Sequence, residues 1–214
     1  MSTFHMPSLH GGHSGAGAII LAHVSTTTST EETITIPVDD RVSGYLALLI
    51  QYSYQSGSPP TLVTPTGFTS IHDVAGSTSR GEICMKLLDG TETVLTGMTG
   101  ATADNKHLFI FESTGGAITT LSSHDLAQQE TSGTPNEQTP DPSAETDPCI
   151  VYGATHASST GEFTVASPAF DGTTSISKGQ AGYKIYNTGH AGHAIDADDN
   201  GNRNILMSGY IKTV

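Results

Sequence analysis

The stretch from Gly44 to Tyr52, Gly-Tyr-Leu-Ala-Leu-Leu-Ile-Gln-Tyr, is the most apolar run in a chain otherwise dense in Thr, Ser and Gly, so any core has to form around it. Pro37, Asp39 and Asp40 stand before it and Gly57, Ser58, Pro59 and Pro60 after it, which leaves room for one long strand rather than a helix. It falls well short of the roughly 20 apolar residues that cross a bilayer. The run therefore predicts a central buried strand. Cys149-Ile-Val-Tyr-Gly predicts a second one in the other half of the chain.

The segments around these runs are short and punctuated. Ala18 to His23, Glu32 to Val38, Arg80 to Leu88, His107 to Glu112 and Ile118 to Leu121 read as strands, and Asp89-Gly90 as a tight turn. Pro65-Thr-Gly-Phe68 is a turn that delivers an aromatic ring toward the core. With 24 Gly and only 14% charged residues, the composition suits many short strands joined by polar turns. At 214 residues the chain suits one large β domain. The expected fold is all-β: a single double-sheet β-sandwich over residues 18–214, jelly-roll or Ig-like, with Leu48, Ile50, Phe68, Met85, Phe109, Ile150, Tyr152, Phe170 and Ile185 in its core. Residues 1–17, rich in Gly and His, read as an N-terminal extended arm.

Residues 128–148 are acidic, Pro-rich and aperiodic, and read as a surface loop joining two weakly similar halves, 18–127 and 149–214. The similarity is a faint repeat: Ile50 matches Tyr152, Phe68 matches Phe170 and Lys86 matches Lys184, at offsets of 102, 102 and 98. Neither half offers enough strands to bury its own apolar surface, so both are expected to contribute to one sandwich.

Charge narrows the choice of partners. Lys and Arg number 8 against 21 Asp and Glu, a net charge of −13, so phosphate backbones and anionic membranes are repelled and neither nucleic acid nor membrane is expected as a partner. Cys84 and Cys149 each lie inside an apolar segment and read as buried free thiols, with a disulfide open only if their strands are neighbours. The first residues, Met-Ser-Thr-Phe-His-Met-Pro, lack the basic and apolar regions of a signal peptide, which predicts folding in a cytoplasm.

Several local patterns invite a chemical reading. Gly12-His13-Ser14-Gly15-Ala16 approaches a nucleophile elbow but lacks the strand before it and the helix after it. Ser123-His124-Asp125 spells a triad, yet consecutive strand residues point to opposite faces. No catalytic residue is assigned. The pairs His10/His13 and His190/His193 carry imidazoles suited to zinc or nickel, on loops that do not fix their geometry. The metal candidate is Asp196, Asp198, Asn200 and Asn202, whose spacing matches the start of an EF-hand calcium loop with Gly201 at its sixth position. Position 12 is Met207 in place of the bidentate Glu, so a plain hairpin turn at Asn200-Gly201 competes with calcium.

The order Pro37, Gly44-Tyr-Leu-Ala-Leu-Leu, Thr64-Pro-Thr-Gly-Phe-Thr69, Glu82-Ile-Cys-Met-Lys-Leu-Leu-Asp-Gly-Thr-Glu92 and the apolar strand Leu108 to Phe111 resembles a class of β-sandwich virion proteins of tailed bacteriophages. Phe68 stands where many members have Trp. The resemblance implies a non-enzymatic structural protein of the virion, assembled in the host cytoplasm. It would decorate or cement the capsid or else belong to the tail, associating with itself, a trimer being plausible, and with proteins such as the major capsid protein. The alternative class is a carbohydrate- or receptor-binding β-sandwich module, calcium-assisted, reading a host surface glycan through loops that carry His72, Asp73, Asp196 and Asp198.

Overall fold

The computed structural model describes residues 17–28, 33–54, 62–75, 79–96, 105–131, 137–157, 162–176, 178–197 and 204–213. In chain order the strands are β1 (Ile19–Thr28), β2 (Thr33–Thr35), β3 (Leu46–Tyr54), β4 (Thr69–Ala75), β5 (Ser79–Leu87), β6 (Val94–Thr96), β7 (Asn105–Ser113), β8 (Leu121–Thr131), β9 (Cys149–Ala157), β10 (Phe163–Ser167), β11 (Gly172–Ile176), β12 (Gly179–Tyr186), β13 (Ala194–Ala197) and β14 (Asn204–Thr213). A turn of 3-10 helix precedes each central strand, Val38–Asp40 before β3 and Pro142–Ala144 before β9.

Two five-stranded antiparallel sheets pack face to face, one in the order β1-β7-β3-β5-β4 and the other in the order β8-β14-β9-β12-β11. The two orders are one pattern used twice. In the first half β1 pairs with β7, β2 with β6 and β3 with β5. In the second, β8 pairs with β14, Gln138 bridges to Ile195 of β13, and β9 pairs with β12. Such nested pairs arise when one long hairpin folds over on itself, which is how a jelly roll is wound. The chain is an all-β sandwich, but the two sheets do not share one roll: each half winds its own sheet, and the halves then meet.

Register makes the repeat explicit. Ala47 lies across from Lys86 and Ile110, as Val151 lies across from Lys184 and Tyr210. Lys86 therefore corresponds to Lys184, as the sequence suggests. The match of Ile50 with Tyr152 slips by two residues, because Ile50 corresponds to Ala154. A two-residue slip keeps a side chain on the same face of its strand, so both residues point inward as expected.

The interlayer core gathers Leu48, Ile50, Ile83, Met85, Phe109 and Phe111 from the first sheet against Ile150, Tyr152, Ile205, Met207 and Ile211 from the second, with Ile185 packed at its margin. Tyr183 sets its ring 5.3 Å from both Phe109 and Phe111. The alternate residues of the same strands are buried too. Ala47, Leu49, Cys84, Leu108 and Ile110 pack under Ile34 and Ile36 of the β2 segment. Cys149, Val151, Leu206 and Tyr210 pack under Ile195 and Ala197 of β13. Strands buried on both faces read as continuous apolar runs rather than alternating ones, which is why the central segments stood out.

Four expectations need correction. Phe68 and Phe170 do not enter the interlayer core; each packs, half-buried, on the outer cluster of its own sheet, because the turns before β4 and β11 lead the chain in over those faces. The segment 128–148 is not all loop, since β8 continues to Thr131 and the remainder holds a bridge, a helical turn and buried Pro140 and Pro142. The halves do not divide at 127, because β8 pairs with β14 of the second sheet. Ile118 is buried ahead of the strand that starts at Leu121, rather than part of it. Of the expected arm, only Gly17 is described, and its backbone packs on Gly115 so closely that a Cβ there would lie 1.8 Å from the Gly115 nitrogen. Cys84 and Cys149 are free and buried, on the outer clusters of different sheets with the sandwich between them.

Candidate functional site

Three histidines and two tyrosines are buried together between the sheets: His72, His107, His156, Tyr52 and Tyr152. His72 of β4 places Nε2 2.9 Å from the Tyr152 hydroxyl of β9 and Nδ1 3.3 Å from Oε1 of Gln128 on β8. The Gln128 amide nitrogen is turned to the Asp73 carbonyl, so its oxygen faces His72 and can only accept. Nδ1 faces the Gln128 oxygen and Nε2 faces the Tyr152 phenol. One imidazole thus ties β4 to two strands of the opposite sheet.

His107 of β7 makes the second tie, with Nδ1 2.7 Å from the Thr174 hydroxyl of β11. Beside it, Tyr52 lies edge-on to His107 at 6.2 Å and stacks on His156 of β9 at 4.9 Å. The Tyr52 hydroxyl, His107 Nε2 and both His156 nitrogens have no hydrogen-bond partner among the described residues. Burial disfavours the imidazolium, holding His72 and His107 down to about 4 and His156 to about 3. The same burial raises the Tyr52 and Tyr152 phenols. At neutral pH the cluster is a set of uncharged rings shut away from solvent. It can clamp the two sheets and it can respond to acid.

On the outer face of the first sheet, Lys106, Gln51 and Glu82 line up across three strands, all buried. Glu82 accepts from the Gln51 amide and from the Thr64 hydroxyl, which ties the Thr64 loop down over the sheet.

The residues singled out in the sequence do not converge. Asp196 sits in β13, and its Oδ1 accepts from the amide of Ala197. Asp198, Asn200 and Asn202 lie outside the described residues. Among the described residues no group of three or more His, Cys, Asp or Glu side chains is placed to hold a metal ion. His193 is buried against Phe170 at 4.9 Å and held to about 4 by burial, while His190 leans on Tyr186 at 5.8 Å. His10, His13 and the Gly12 to Ala16 stretch lie outside the described residues. In Ser123-His124-Asp125, His124 turns to Ser122 at 2.9 Å and stacks on Tyr210, while Asp125 accepts from the Asp141 amide, so no relay forms. Of the expected glycan-binding residues, His72 is buried between the sheets and Asp73 is held bidentately by Arg80 at 2.8 and 2.7 Å.

Sequence reasoning passed over Tyr52, His107 and His156. Their one signal was a titratable or polar ring inside a strand-like apolar segment, as in Lys-His-Leu-Phe and Ala-Thr-His-Ala. No protein-family model, curated protein or solved structure matches this chain.

Proposed function

We propose that the protein is a non-enzymatic structural protein that associates with itself and attaches to a larger particle, as a virion component of a tailed phage: a capsid decoration or cement protein, or otherwise a tail component. The observation that carries this reading is the disposition of the sheets. The central strands of both five-stranded sheets are covered on both faces, the inner faces by each other and the outer faces by the clusters of Ile34 and Ile195. His72, His107 and His156 are committed to packing between the sheets. What the body offers to other molecules is its sheet edges and turns, which suits assembly.

Two measurements test the reading. Sedimentation velocity of the purified chain should show a defined oligomer at micromolar concentration, and quantitative mass spectrometry of purified particles should find the chain at many copies per particle. A strictly monomeric chain missing from particles would overturn it. The binding-module reading would gain if the protein retained a glycan on an array in a calcium-dependent manner.

A further inference from the structure

We propose that the open edge of β1 is a self-pairing surface, on which β1 of a second copy of this chain adds antiparallel across a twofold axis and joins two five-stranded sheets into one. The inference rests on the self-association proposed above and gives it an interface. Because the strand pattern repeats, each edge strand has a counterpart, and the two first strands differ in how their edges are guarded. β8 carries Asp125, turns it into a left-handed conformation at φ 48° and engages its carboxylate with the Asp141 amide. At the far edge of the first sheet, β4 carries Asp73 with Arg80 clamped to it. Charges and irregular backbone of this kind keep an edge from pairing with another chain.

β1 has none of that protection over most of its length. Its sequence, Ile-Ile-Leu-Ala-His-Val-Ser-Thr-Thr-Thr, holds no Asp, Glu, Lys or Arg over 10 residues, in a chain whose net charge is −13. Ile20 and Val24 are 41% and 40% exposed on it. Among the described residues no strand pairs with its outer edge. The Asn187 carboxamide satisfies the amide and carbonyl of Ile19, and a bulge interrupts the ladder between Leu21 and His23. Val24 to Thr28 remain as regular, open ladder. β11, the other uncharged edge, is half as long.

A second copy fits this edge for two reasons. Molecules of equal negative charge repel, so a contact between copies has to keep carboxylates few, and β1 is the long edge with none of its own, the Asp40 carboxylate meeting it only at His23, ahead of the Val24 to Thr28 ladder. A strand paired antiparallel with itself about a twofold axis is also self-complementary, each contact occurring twice, and it places β-branched Val and Thr side chains against one another.

The test is sedimentation velocity on the full chain and on a Val24→Lys/Thr26→Lys variant. Both positions are exposed, so folding is retained, and the twofold axis would bring the new ammonium groups of the two copies together. The variant lowers the overall negative charge, so weaker association would report the edge and not general repulsion. We expect a wild-type dimer, at least tenfold weaker association in the variant, and concentration-dependent slowing of hydrogen exchange at Val24 to Thr26 in the wild type. A chain starting at Ala18 should still dimerise. A monomeric wild type would overturn both this inference and the self-association reading. A wild-type trimer, an oligomer that the variant leaves intact with unslowed exchange in β1, or association lost only on removing residues 1–17, would overturn the edge inference alone.

Discussion

The two halves solve one packing problem with volumes exchanged. On the outer face of the second sheet, paired Gly153 and Gly182 form a flat seat for the Phe170 ring: a Cβ on Gly182 would come within 2.4 Å of it and one on Gly153 within 2.9 Å. His193 stacks on the same ring. At the corresponding positions of the first sheet, Leu49 and Cys84 pair and fill the space themselves, while Phe68 packs at the side. Backbone order repeats between the halves while side-chain volume sits on the strand in one and on the turn in the other. This is why the repeat is faint in sequence and plain in topology.

The comparison breaks hardest at the interlayer. Ile50 and its counterpart Ala154 both have no exposed surface, and each faces the opposite sheet. An unpartnered carboxylate there costs several kcal/mol against a total stability of about 5–15 kcal/mol. Ile50→Asp should abolish soluble expression, and Ala154→Asp should do the same if the halves are equivalent. Soluble, cooperatively folding Ile50→Asp protein would show that β3 is misplaced. Failure of Ile50→Asp together with tolerance of Ala154→Asp would show that the first sheet alone sets the core.

Acid comes next. The unfolded chain binds protons at its histidines near pH 6.5, whereas folded His72, His107 and His156 resist protonation until about pH 4, 4 and 3. Over that window the unfolded state holds more protons, so stability is full above pH 6.5 and is lost as pH falls. With His193, also held to about 4, four such groups give a slope of about 5 kcal/mol per pH unit around pH 5. Urea unfolding at pH 7.5, 6.0 and 5.0 should show the midpoint dropping steeply. His156→Phe keeps the stack on Tyr52, removes two unpartnered nitrogens and should flatten the slope by about a quarter. A pH-independent midpoint would mean that these rings are not buried as described.

The exchanged volumes yield a smaller effect. Gly182→Ala should displace the Phe170 ring and cost about 1–3 kcal/mol, as overpacking does. Cys84→Ala removes only a thiol from the matching site and should cost less. Thermal melts of the two variants settle the order, and equal losses would break the proposed correspondence between Gly182 and Cys84.

The sequence made the central strands, the sandwich, the free thiols and the repeat legible, because each rests on local apolar density or tight turns. It hid β8, whose Ser-Ser-His-Asp and Gln-Gln-Glu tracts lie on an edge strand and need not alternate. It also hid the interlayer ties. His72 and Tyr152 are 80 residues apart and His107 and Thr174 are 67 apart, so only the meeting of the two sheets brings them together. Phe68 and Phe170 were rightly matched to each other and wrongly sent inward, because an aromatic ring after a turn satisfies either face of a sheet that is buried on both.

Calcium should produce the smallest effect, and it bears on whether the second half carries a device the first half lacks. A calcium loop of the type suggested by Asp196, Asp198, Asn200 and Asn202 takes its first ligand from a carboxylate free to turn inward. Asp196 instead lies within β13, paired opposite Val165 in the β10 ladder, with Oδ1 already accepting from the Ala197 amide. A site as weak as the extracellular calcium modules, with Kd about 1 mM, would at 10 mM calcium stabilise the fold by about 1.4 kcal/mol. For a chain of this size that is a rise of about 3–6 °C in Tm. We expect less than about 1 °C, the same as with magnesium, which corresponds to a site at least several-fold weaker than those modules. A rise above 3 °C that Asp198→Ala abolishes would establish the metal site, mark the second half as functionally distinct from the first, and move the weight from an assembly protein to a calcium-assisted binding module.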